Sequence, residues 1–304
     1  MSKIIVVAGP TAVGKTEYAI KIAKHFNGEI VSCDSMQLYK YMDIGSAKPT
    51  KEEQSQVKHY LVDEIDPKEE FSVALYQKLA KKAIKEIIDK GKIPVIAGGT
   101  GLYLNSILYN MDFGNTDSNK KLREEYEKIA KEQGTDKLYE ILLDLDPKAA
   151  SRIHKNNVKR VIRAIEAVKT SGQGLNDFKT DITLNDEYEP VMLCLNRDRD
   201  ELYERINKRV DILVDMGLLE EVKGLMDMGF TADDIAMKGI GYKEIIGYFE
   251  GRCDLNEAIE LVKRNTRRYA KRQITWFKRY ENMQWFNLST DSLEDIISWI
   301  ETKM

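Results

Sequence analysis

The chain has 304 residues, a formal net charge of −3 and a balance of 42% hydrophobic and 32% charged residues, as in globular proteins that dissolve in water. No apolar run is long enough to cross a bilayer, and the net charge argues against a generally basic nucleic-acid-binding protein. Three scattered cysteines and three scattered histidines favour neither a disulfide framework nor a zinc site, and a strand predicted from Lys3 leaves no room for a signal peptide, so we expect a cytoplasmic protein.

A complete phosphate-binding motif follows the first predicted strand. Residues 3–8 read as a buried strand, residues 9–16 have the sequence GPTAVGKT, and residues 17–26 carry apolar side chains at helical spacing. The G-x-x-x-x-G-K-[ST] pattern requires this order of strand, glycine-rich loop and helix. Loop amides and the helix N-terminus would face phosphate oxygens, Lys15 would add a charge, and the Thr16 hydroxyl would bind Mg²⁺. The predicted ligand-binding residues are Gly9, Pro10, Thr11, Ala12, Val13, Gly14, Lys15 and Thr16.

Two further strands are predicted at residues 29–33 and 93–97, with a helix between them over residues 72–90. Alternating strands and helices imply a parallel sheet, whose ligand crevice lies at the carboxyl ends of the strands. Asp34 and Thr100 come just after these two strands, so we expect both near the phosphate loop. Asp34 could act as a general base, bind magnesium or cap a helix. Thr100 could approach a ligand or form an ordinary turn.

The character of the sequence changes between residues 115 and 189. Helical patterns there cover residues 120–133, 136–144, 147–154 and 158–171, and a polar stretch follows. We interpret residues 115–189 as an α-helical insertion, and residues 1–114 and 190–304 as the two parts of a discontinuous core. After the insertion a strand is predicted at residues 191–195. Helices are then predicted at residues 201–216, 218–228, 236–249, 255–280 and 293–301.

Two basic features lie in the second half of the chain. Arg205 and Arg209 are four residues apart on one predicted helix, so both project from the same face. The pair suits a diphosphate, or it could form surface ion pairs with nearby acids. Residues 261–280 contain eight basic residues, no acid and several aromatic residues. This helix could be a solvated cationic face or a track for a phosphate backbone, which basic residues of the insertion would extend.

Taken together, these segments resemble the tRNA dimethylallyltransferase family, also called tRNA isopentenyltransferases. The matching segments include SCDSMQLYKYMDIGSAKP from Ser32, IPVIAGGTGLYLNSIL from Ile93, KGIGYKE from Lys238 and RRYAKRQITWF from Arg267. The resemblance runs nearly end to end, and DSxQxY followed by MDIGxAKP is its most specific part. The fold that it implies is α/β, with a P-loop parallel sheet flanked by helices and an α-helical insertion domain.

The resemblance implies transfer of a dimethylallyl group from dimethylallyl diphosphate to the exocyclic 6-amino group of the adenosine 3′ of the anticodon in tRNA. Asp34 would deprotonate or orient the amine, while Lys15, Thr16, Thr100 and Arg209 would neutralise the leaving diphosphate together with Mg²⁺. The insertion would contact the anticodon stem-loop. Residues implied to bind tRNA are Asp34, Ser35, Met36, Gln37, Thr100, Arg123, Lys159, Arg160, Val161, Ile162, Arg163, Lys238, Gly239, Ile240, Gly241, Tyr242 and Lys243.

A P-loop kinase of a small molecule or nucleotide is the alternative, because it would have the same ATP-binding loop, a parallel sheet and an acid near the acceptor. The acid-free basic helix and the DSxQ segment argue against a kinase, since a small acceptor needs neither. A GTPase-like switch is a weaker alternative, because the sequence has no N-K-x-D segment. Eukaryotic members of the family carry an additional C-terminal zinc finger, so the resemblance is to the bacterial type. Nothing requires a dimer, and we expect a monomer.

Overall fold

The computed structural model describes residues 1–69, 71–111, 120–172, 174 and 183–304. The chain forms two compact units, one made of Met1–Leu108 with Asn185–Met304 and the other of Tyr109–Leu184. The sequence interpretation placed these limits at residues 114/115 and 189/190. In the structure the chain rejoins the first unit earlier, because Asn185 Nδ2 donates to the carbonyl of Ile107 at 2.6 Å and the strand that follows begins at Tyr188.

The first unit is built on a parallel sheet with six strands among the described residues. The strands are β1 (Ser2–Ala8), β2 (Gly28–Cys33), β3 (His59–Tyr60), β4 (Ile93–Gly98), β5 (Tyr188–Asn196) and β6 (Gln284–Asn287). Their order across the sheet is β3-β2-β4-β1-β5-β6, and every neighbouring pair is parallel. The predicted parallel α/β sheet is therefore confirmed. The two edge strands, β3 and β6, were not predicted from the sequence.

Helices flank the sheet of the first unit and make up most of the second. The helices of the first unit are α1 (Lys15–His25), α2 (Lys51–Gln56), α3 (Val73–Asp89), α4 (Gly101–Leu108), α8 (Arg199–Asp215), α9 (Leu218–Asp227), α10 (Tyr242–Phe249), α11 (Leu255–Phe277) and α12 (Leu293–Glu301). Those of the second unit are α5 (Lys120–Leu145), α6 (Pro147–Arg152) and α7 (Val158–Ser171). In the part of the chain that the structure describes, no helix is both long and apolar enough to cross a membrane.

One predicted helix, over residues 236–249, is interrupted. A single 3-10 turn occupies Ala236–Lys238 and α10 begins only at Tyr242. Gly241 between them has φ of 100°, a left-handed conformation that cannot continue an α-helix. The interruption lies in the KGIGYKE segment and gives it a bend instead of a continuous helical face.

The core of the first unit fixes which end of the sheet carries the polar residues. Residues 4–8 of β1 are all buried, as expected for a central parallel strand covered on both faces. One hydrophobic cluster joins β1 to α1, β5, α8 and α12 through residues such as Ile5, Ile22, Leu193, Ile206 and Ile296. Because the strands are parallel, the residues that follow β1, β2, β4 and β5 all lie at the same edge of the sheet.

The second unit has a small core of its own. Helix α5 is broken at Gly134, whose φ of 88° separates the two helices predicted at residues 120–133 and 136–144. Tyr126, Leu138, Leu142 and Ile165 are buried in a cluster formed by α5, α6 and α7. The helical pattern of the sequence in this region therefore matches the structure.

Candidate active site

The phosphate loop, residues 9–16, connects β1 to α1 and is held in a conformation that requires glycine. Gly9 has φ of 152°, and a Cβ there would lie 2.6 Å from the carbonyl oxygen of Leu195. Gly14, just before α1, has φ of 114°. Ala12 is left-handed with φ of 64°, a conformation that costs a non-glycine residue about 1–3 kcal/mol and often occurs at functional sites. Such strain persists only where surrounding contacts impose it.

Basic side chains supply part of those contacts by binding three carbonyl groups of the phosphate loop. The bonds run from Arg205 Nε to Ala12 O (3.1 Å), from Arg197 Nε to Val13 O (3.0 Å) and from Lys15 Nζ to Pro10 O (2.7 Å). Because a cation donates each bond, these are stronger than bonds between neutral groups. They hold the backbone of the phosphate loop in this shape.

Asp34 and Thr100 meet at the ends of β2 and β4, as the sequence predicts. Asp34 Oδ1 accepts a hydrogen bond from the Met36 amide at 2.9 Å, so the carboxylate caps the turn after β2. Thr100 donates its amide to Cys33 O at 3.1 Å, and its hydroxyl accepts the Ser35 amide at 3.1 Å. The Thr100 side chain thus holds in place the turn that carries Asp34.

Gln273 is a site residue that the sequence reasoning missed. Its Oε1 accepts the Thr11 amide of the phosphate loop at 2.9 Å, and its Nε2 donates to the Gly99 carbonyl at 3.0 Å. A Cβ at Gly99 would lie 2.1 Å from that Nε2 atom, so the glycine makes room for the contact. The available signal was an uncharged amide at helical spacing between the buried residues Ala270 and Phe277 of α11.

A cavity of about 580 Å³ opens at this edge of the sheet, between the phosphate loop, the end of β2, residues 43–50 and α8. It brings together most of the predicted chemical groups. The predicted site residues that line it include Thr11, Ala12, Gly14, Lys15, Thr16, Asp34, Gln37 and Arg209. Ser35, Met36 and Thr100 adjoin it through the bonds around Asp34.

The electrostatics of the cavity favour an anion. Burial lowers the pKa of Lys15 to about 8, Asp34 opposes that shift, and the nearby charge of Arg209 adds to it. Burial likewise lowers the pKa of Arg209. Among the described residues, neither Arg205 nor Arg209 forms an ion pair with a carboxylate, so the surface pairs considered from the sequence are not formed there. Two desolvated cations beside a phosphate loop are a site for a polyphosphate group.

Gln37 is held at both ends of its amide by the wall of the cavity. Its Oε1 accepts from Ser32 Oγ at 3.0 Å, and its Nε2 donates to Ala47 O at 3.2 Å. The same Ala47 carbonyl lies 3.5 Å from Nη2 of Arg209. Since a glutamine amide has two N–H groups and two lone pairs on its oxygen, one donor and one acceptor site are left over for a ligand.

Of the residues predicted to bind tRNA in the second unit, only some reach its surface. Lys159, Arg160 and Arg163 are exposed. Val161 and Ile162 are buried in the core of the unit, because helical spacing places them on the inner face of α7. Their side chains pack inside the unit, and their assignment to tRNA stays a prediction. Arg123 forms a two-pronged ion pair with Glu166 at 3.0 Å, in which Arg163 also takes part at 2.8 Å. Arg123 and Arg163 therefore also have a structural role.

In the first unit, the KGIGYKE segment lies beside the turn that follows β2. Gly239 packs against Met36, since a Cβ on the glycine would lie 2.5 Å from the methionine Cε. Lys238 and Lys243 are exposed, whereas Tyr242 is fully buried. The side chain of Tyr242 is therefore part of the core, and the assignment of this residue to tRNA stays a prediction. The tyrosine ring packs beneath residue Gly45.

Helix α11 has a buried face and a basic face. Ala258, Val262, Ala270, Gln273 and Phe277 are buried. Lys263 pairs with Asp211, Arg267 donates to Asn207, and the guanidinium groups of Arg272 and Arg279 lie over the rings of Tyr269 and Trp276. The exposed basic residues are Arg264, Arg268, Lys271 and Arg272 on the helix, and Lys278 and Arg279 just after its end.

A family model described as IPP transferase matches residues 37–280. The tRNA dimethylallyltransferase of Clostridioides difficile is 57% identical over 293 residues, which cover 96% of this chain and 93% of the relative. That of Alkaliphilus oremlandii is 53% identical over 299 residues, which cover 98% of this chain and 96% of the relative.

Solved structures with the same fold belong to proteins of the same description. The tRNA isopentenylpyrophosphate transferase of Bacillus halodurans is 43% identical, with a TM-score of 0.75 over 100% of this chain and 97% of that one. A eukaryotic dimethylallyltransferase acting on tRNA is 30% identical, with a TM-score of 0.85 over 99% of this chain and 80% of that one.

Proposed function

The chain belongs to the IPP transferase family, and on that basis we propose that it transfers a dimethylallyl group from dimethylallyl diphosphate to tRNA. The acceptor is the exocyclic 6-amino group of the adenosine 3′ of the anticodon, and diphosphate is released. The observation that carries this proposal is a single cavity in which the cations Lys15 and Arg209 lie beside Asp34 and Gln37. A donor with a diphosphate and an acceptor with a weakly acidic amine need these two kinds of group side by side.

The diphosphate occupies the phosphate loop in this proposal. The amine nitrogen forms a bond to the first carbon of the prenyl group, and the bond from that carbon to the diphosphate oxygen breaks with its electron pair. Lys15, Arg209 and the loop amides stabilise the negative charge that collects on the leaving oxygen. Preorganised donors at this point are the main means of acceleration, because the charge there grows as the reaction proceeds.

Asp34 accepts the proton that the amine loses. Its carboxylate lines the cavity and is oriented by the Met36 amide, while Thr100 holds the neighbouring Ser35 amide. The adenine must leave its stack to reach this depth, and Gln37 has one donor and one acceptor site left to bind its edge. Asp34 and Gln37 therefore serve the acceptor, whereas Lys15 and Arg209 serve the donor.

Magnesium fits the donor set of the cavity. No group of three histidine, cysteine or carboxylate side chains among the described residues could hold a metal ion without help from a ligand. Mg²⁺ is commonly held by one or two protein groups together with substrate phosphates, and the Thr16 hydroxyl and the diphosphate would supply such ligands. Bound Mg²⁺ would neutralise part of the charge on the leaving group.

We propose that exposed basic side chains bind the tRNA anticodon stem-loop. In the first unit these are the basic face of α11 with Lys238 and Lys243, and in the second unit they are Lys159, Arg160 and Arg163. We propose that the protein acts as a monomer, and in the cytoplasm, where tRNA is modified. The kinase alternative has no support among the named relatives.

The test is to incubate the protein with dimethylallyl diphosphate, Mg²⁺ and unmodified tRNA, then digest the tRNA and weigh its nucleosides. We expect an adenosine heavier by one dimethylallyl group. Asp34→Ala should lower the rate at least about 100-fold, in line with the loss of a general base, and leave tRNA binding nearly intact. Asp66→Ala is the matched control, because Asp66 Oδ1 accepts the Lys68 amide in the same kind of turn, at 2.9 Å, outside the cavity.

Two results would contradict the proposal. An absence of the heavier adenosine with wild-type protein and active tRNA would refute the transfer itself. Equal rates for Asp34→Ala and Asp66→Ala, with product formed by wild-type protein, would refute only the role of Asp34.

A further inference from the structure

The carboxylate of Glu221, on α9, receives four hydrogen bonds at the side of the cavity. Three come from successive backbone amides, those of Asp43 and Ile44 at 2.7 Å each and of Gly45 at 2.9 Å. The fourth comes from the Tyr242 hydroxyl at 2.8 Å. A carboxylate is the side chain best suited to this position, because it accepts several bonds and donates none. Neither the motif comparison nor the proposed chemistry assigns this residue a role.

The backbone that Glu221 holds continues directly into the cavity. Residues 43–47 include Ala47, which is left-handed with φ of 47°, and whose carbonyl contacts both Gln37 and Arg209. Within this segment Ser46 Oγ also donates to Met42 O, so the turn is closed by local bonds. The location of the Ala47 carbonyl therefore depends on where the three amides at residues 43–45 are held.

The Tyr242 hydroxyl connects the carboxylate of Glu221 to the KGIGYKE segment, which lies beside the turn that follows β2. The tyrosine ring lies so close to Gly45 that a Cβ there would be 2.5 Å from it, and Gly239 of the same segment packs against Met36. Burial raises the pKa of the Tyr242 hydroxyl well above its usual range, so the group keeps its proton and donates to Glu221. One carboxylate thus joins α9, α10 and residues 43–45.

We propose that Glu221 is a positioning residue for prenyl transfer: by binding the amides of residues 43–45 and the Tyr242 hydroxyl, it sets the Ala47 carbonyl that orients Gln37 and Arg209. This inference rests on the proposed function, in which Gln37 serves the adenine and Arg209 the diphosphate. Glu221 touches neither substrate. Its loss should therefore lower the rate of the chemical step more than it lowers the affinity for tRNA, which exposed basic residues supply.

The test is the variant Glu221→Gln, with Glu220→Gln as its matched control. Glutamine keeps the size of the side chain but turns one acceptor oxygen into an N–H₂ group that faces N–H donors. Glu220, the neighbouring residue on α9, is exposed. We expect kcat to fall at least about tenfold in Glu221→Gln, equivalent to about 1.4 kcal/mol, with KM for tRNA changed less than about threefold. The control should stay within about twofold of wild type.

A second measurement tests the contact without the reaction. Hydrogen exchange of the amides of residues 43–45 should become at least about tenfold faster in Glu221→Gln and stay unchanged in Glu220→Gln, because only the former loses one of the two oxygens that accept these amides. Tyr242→Phe, which removes one of the four bonds, should give a smaller loss of kcat and serves if Glu221→Gln does not fold.

The outcomes separate this inference from the proposed function. Absence of product with wild-type protein would refute the proposed function. The hydrogen-exchange measurement would then still show whether Glu221 holds the amides of residues 43–45. With active wild-type protein, a kcat of Glu221→Gln equal to that of Glu220→Gln would overturn the positioning role. A loss of kcat that matches the unfolded fraction seen by circular dichroism would overturn it as well, since the residue would then only stabilise the fold.

Discussion

Replacement of Gln273 by methionine should loosen the phosphate loop and destabilise the first unit. Methionine has nearly the length of glutamine but neither donates nor accepts a comparable hydrogen bond. The variant therefore removes both bonds of the bridge, the one to the Thr11 amide and the one to the Gly99 carbonyl. The change separates the polar function of this side chain from its volume.

The expected loss follows from which groups are left without a partner. A buried polar group that loses its hydrogen-bond partner costs about 1–3 kcal/mol. The bond to Gly99 is buried, whereas the one to Thr11 is partly exposed, so water can replace the latter in part. We expect the free energy of unfolding to fall by about 2–4 kcal/mol, with the larger part due to the Gly99 carbonyl.

The assay is urea unfolding at equilibrium, together with calorimetric titration of the folded variant with pyrophosphate. Lys271→Met is the control, because Lys271 is exposed on the same helix two residues away. Its free energy of unfolding should stay within about 0.5 kcal/mol of the wild-type value. Gly99→Ala perturbs the bridge from the other side, since its Cβ would lie 2.1 Å from Gln273 Nε2. Both Gln273→Met and Gly99→Ala should also bind pyrophosphate more weakly than wild type.

Equal stability of Gln273→Met and Lys271→Met would show that the bridge makes no net contribution to folding. Lower stability with unchanged pyrophosphate affinity would show instead that the bridge supports the fold but does not arrange the phosphate loop. Either result would refute the prediction that the Gln273 bridge both stabilises the fold and arranges the phosphate loop.

Two further predictions concern charged groups. Affinity for pyrophosphate should fall as the pH rises through about 8, because the pKa of Lys15 is lowered to about 8 and its amine is charged below that pH and neutral above it. Titration calorimetry from about pH 6.5 to about pH 9.5 checks this, and an affinity that does not change with pH would contradict it. Glu166→Ala should lower the free energy of unfolding by about 1–3 kcal/mol, because it leaves Arg123 and Arg163 without their buried carboxylate, although both arginines are exposed enough to be solvated in part. Glu140→Ala, which removes an exposed pair with Lys137, is its control and should cost at most about 0.5 kcal/mol in the same unfolding measurement.

Local sequence patterns were sufficient for most of the fold. The strand before the phosphate loop, the loop itself and the long helices have periodic or motif signals that lie within a few residues, and all of them are found in the structure. The two-residue strand β3 is too short to leave a pattern, and the turn at Gly241 looks helical until its left-handed φ is known. Val161 and Ile162 were assigned to tRNA by motif, although their apolar character at helical spacing already indicated a core.

Long-range contacts to the backbone are the part of the site that the sequence could not reveal. Gln273 lies 262 residues from the amide it binds in the phosphate loop, and Glu221 lies 176 to 178 residues from the three amides it holds. A backbone amide is present at every residue except proline, so its partner leaves no mark on the sequence around it. The position of Asp34 could be predicted because it follows the end of a strand, which has a recognisable pattern.

The same structural elements explain how the protein tolerates buried cations and backbone strain at the cavity. Burial lowers the pKa of both Lys15 and Arg209 inside it, and a strained loop residue, Ala12, lies beside them. These costs are offset by a neutral and an anionic group that hold the backbone around the cavity, namely Gln273, which lines it, and Glu221, which lies behind residues 43–45. Because the supports bind backbone and leave the cations unpaired by carboxylates, a diphosphate can bind without first breaking an ion pair. The excess positive charge is thus kept for the donor and for the charge that develops as it leaves.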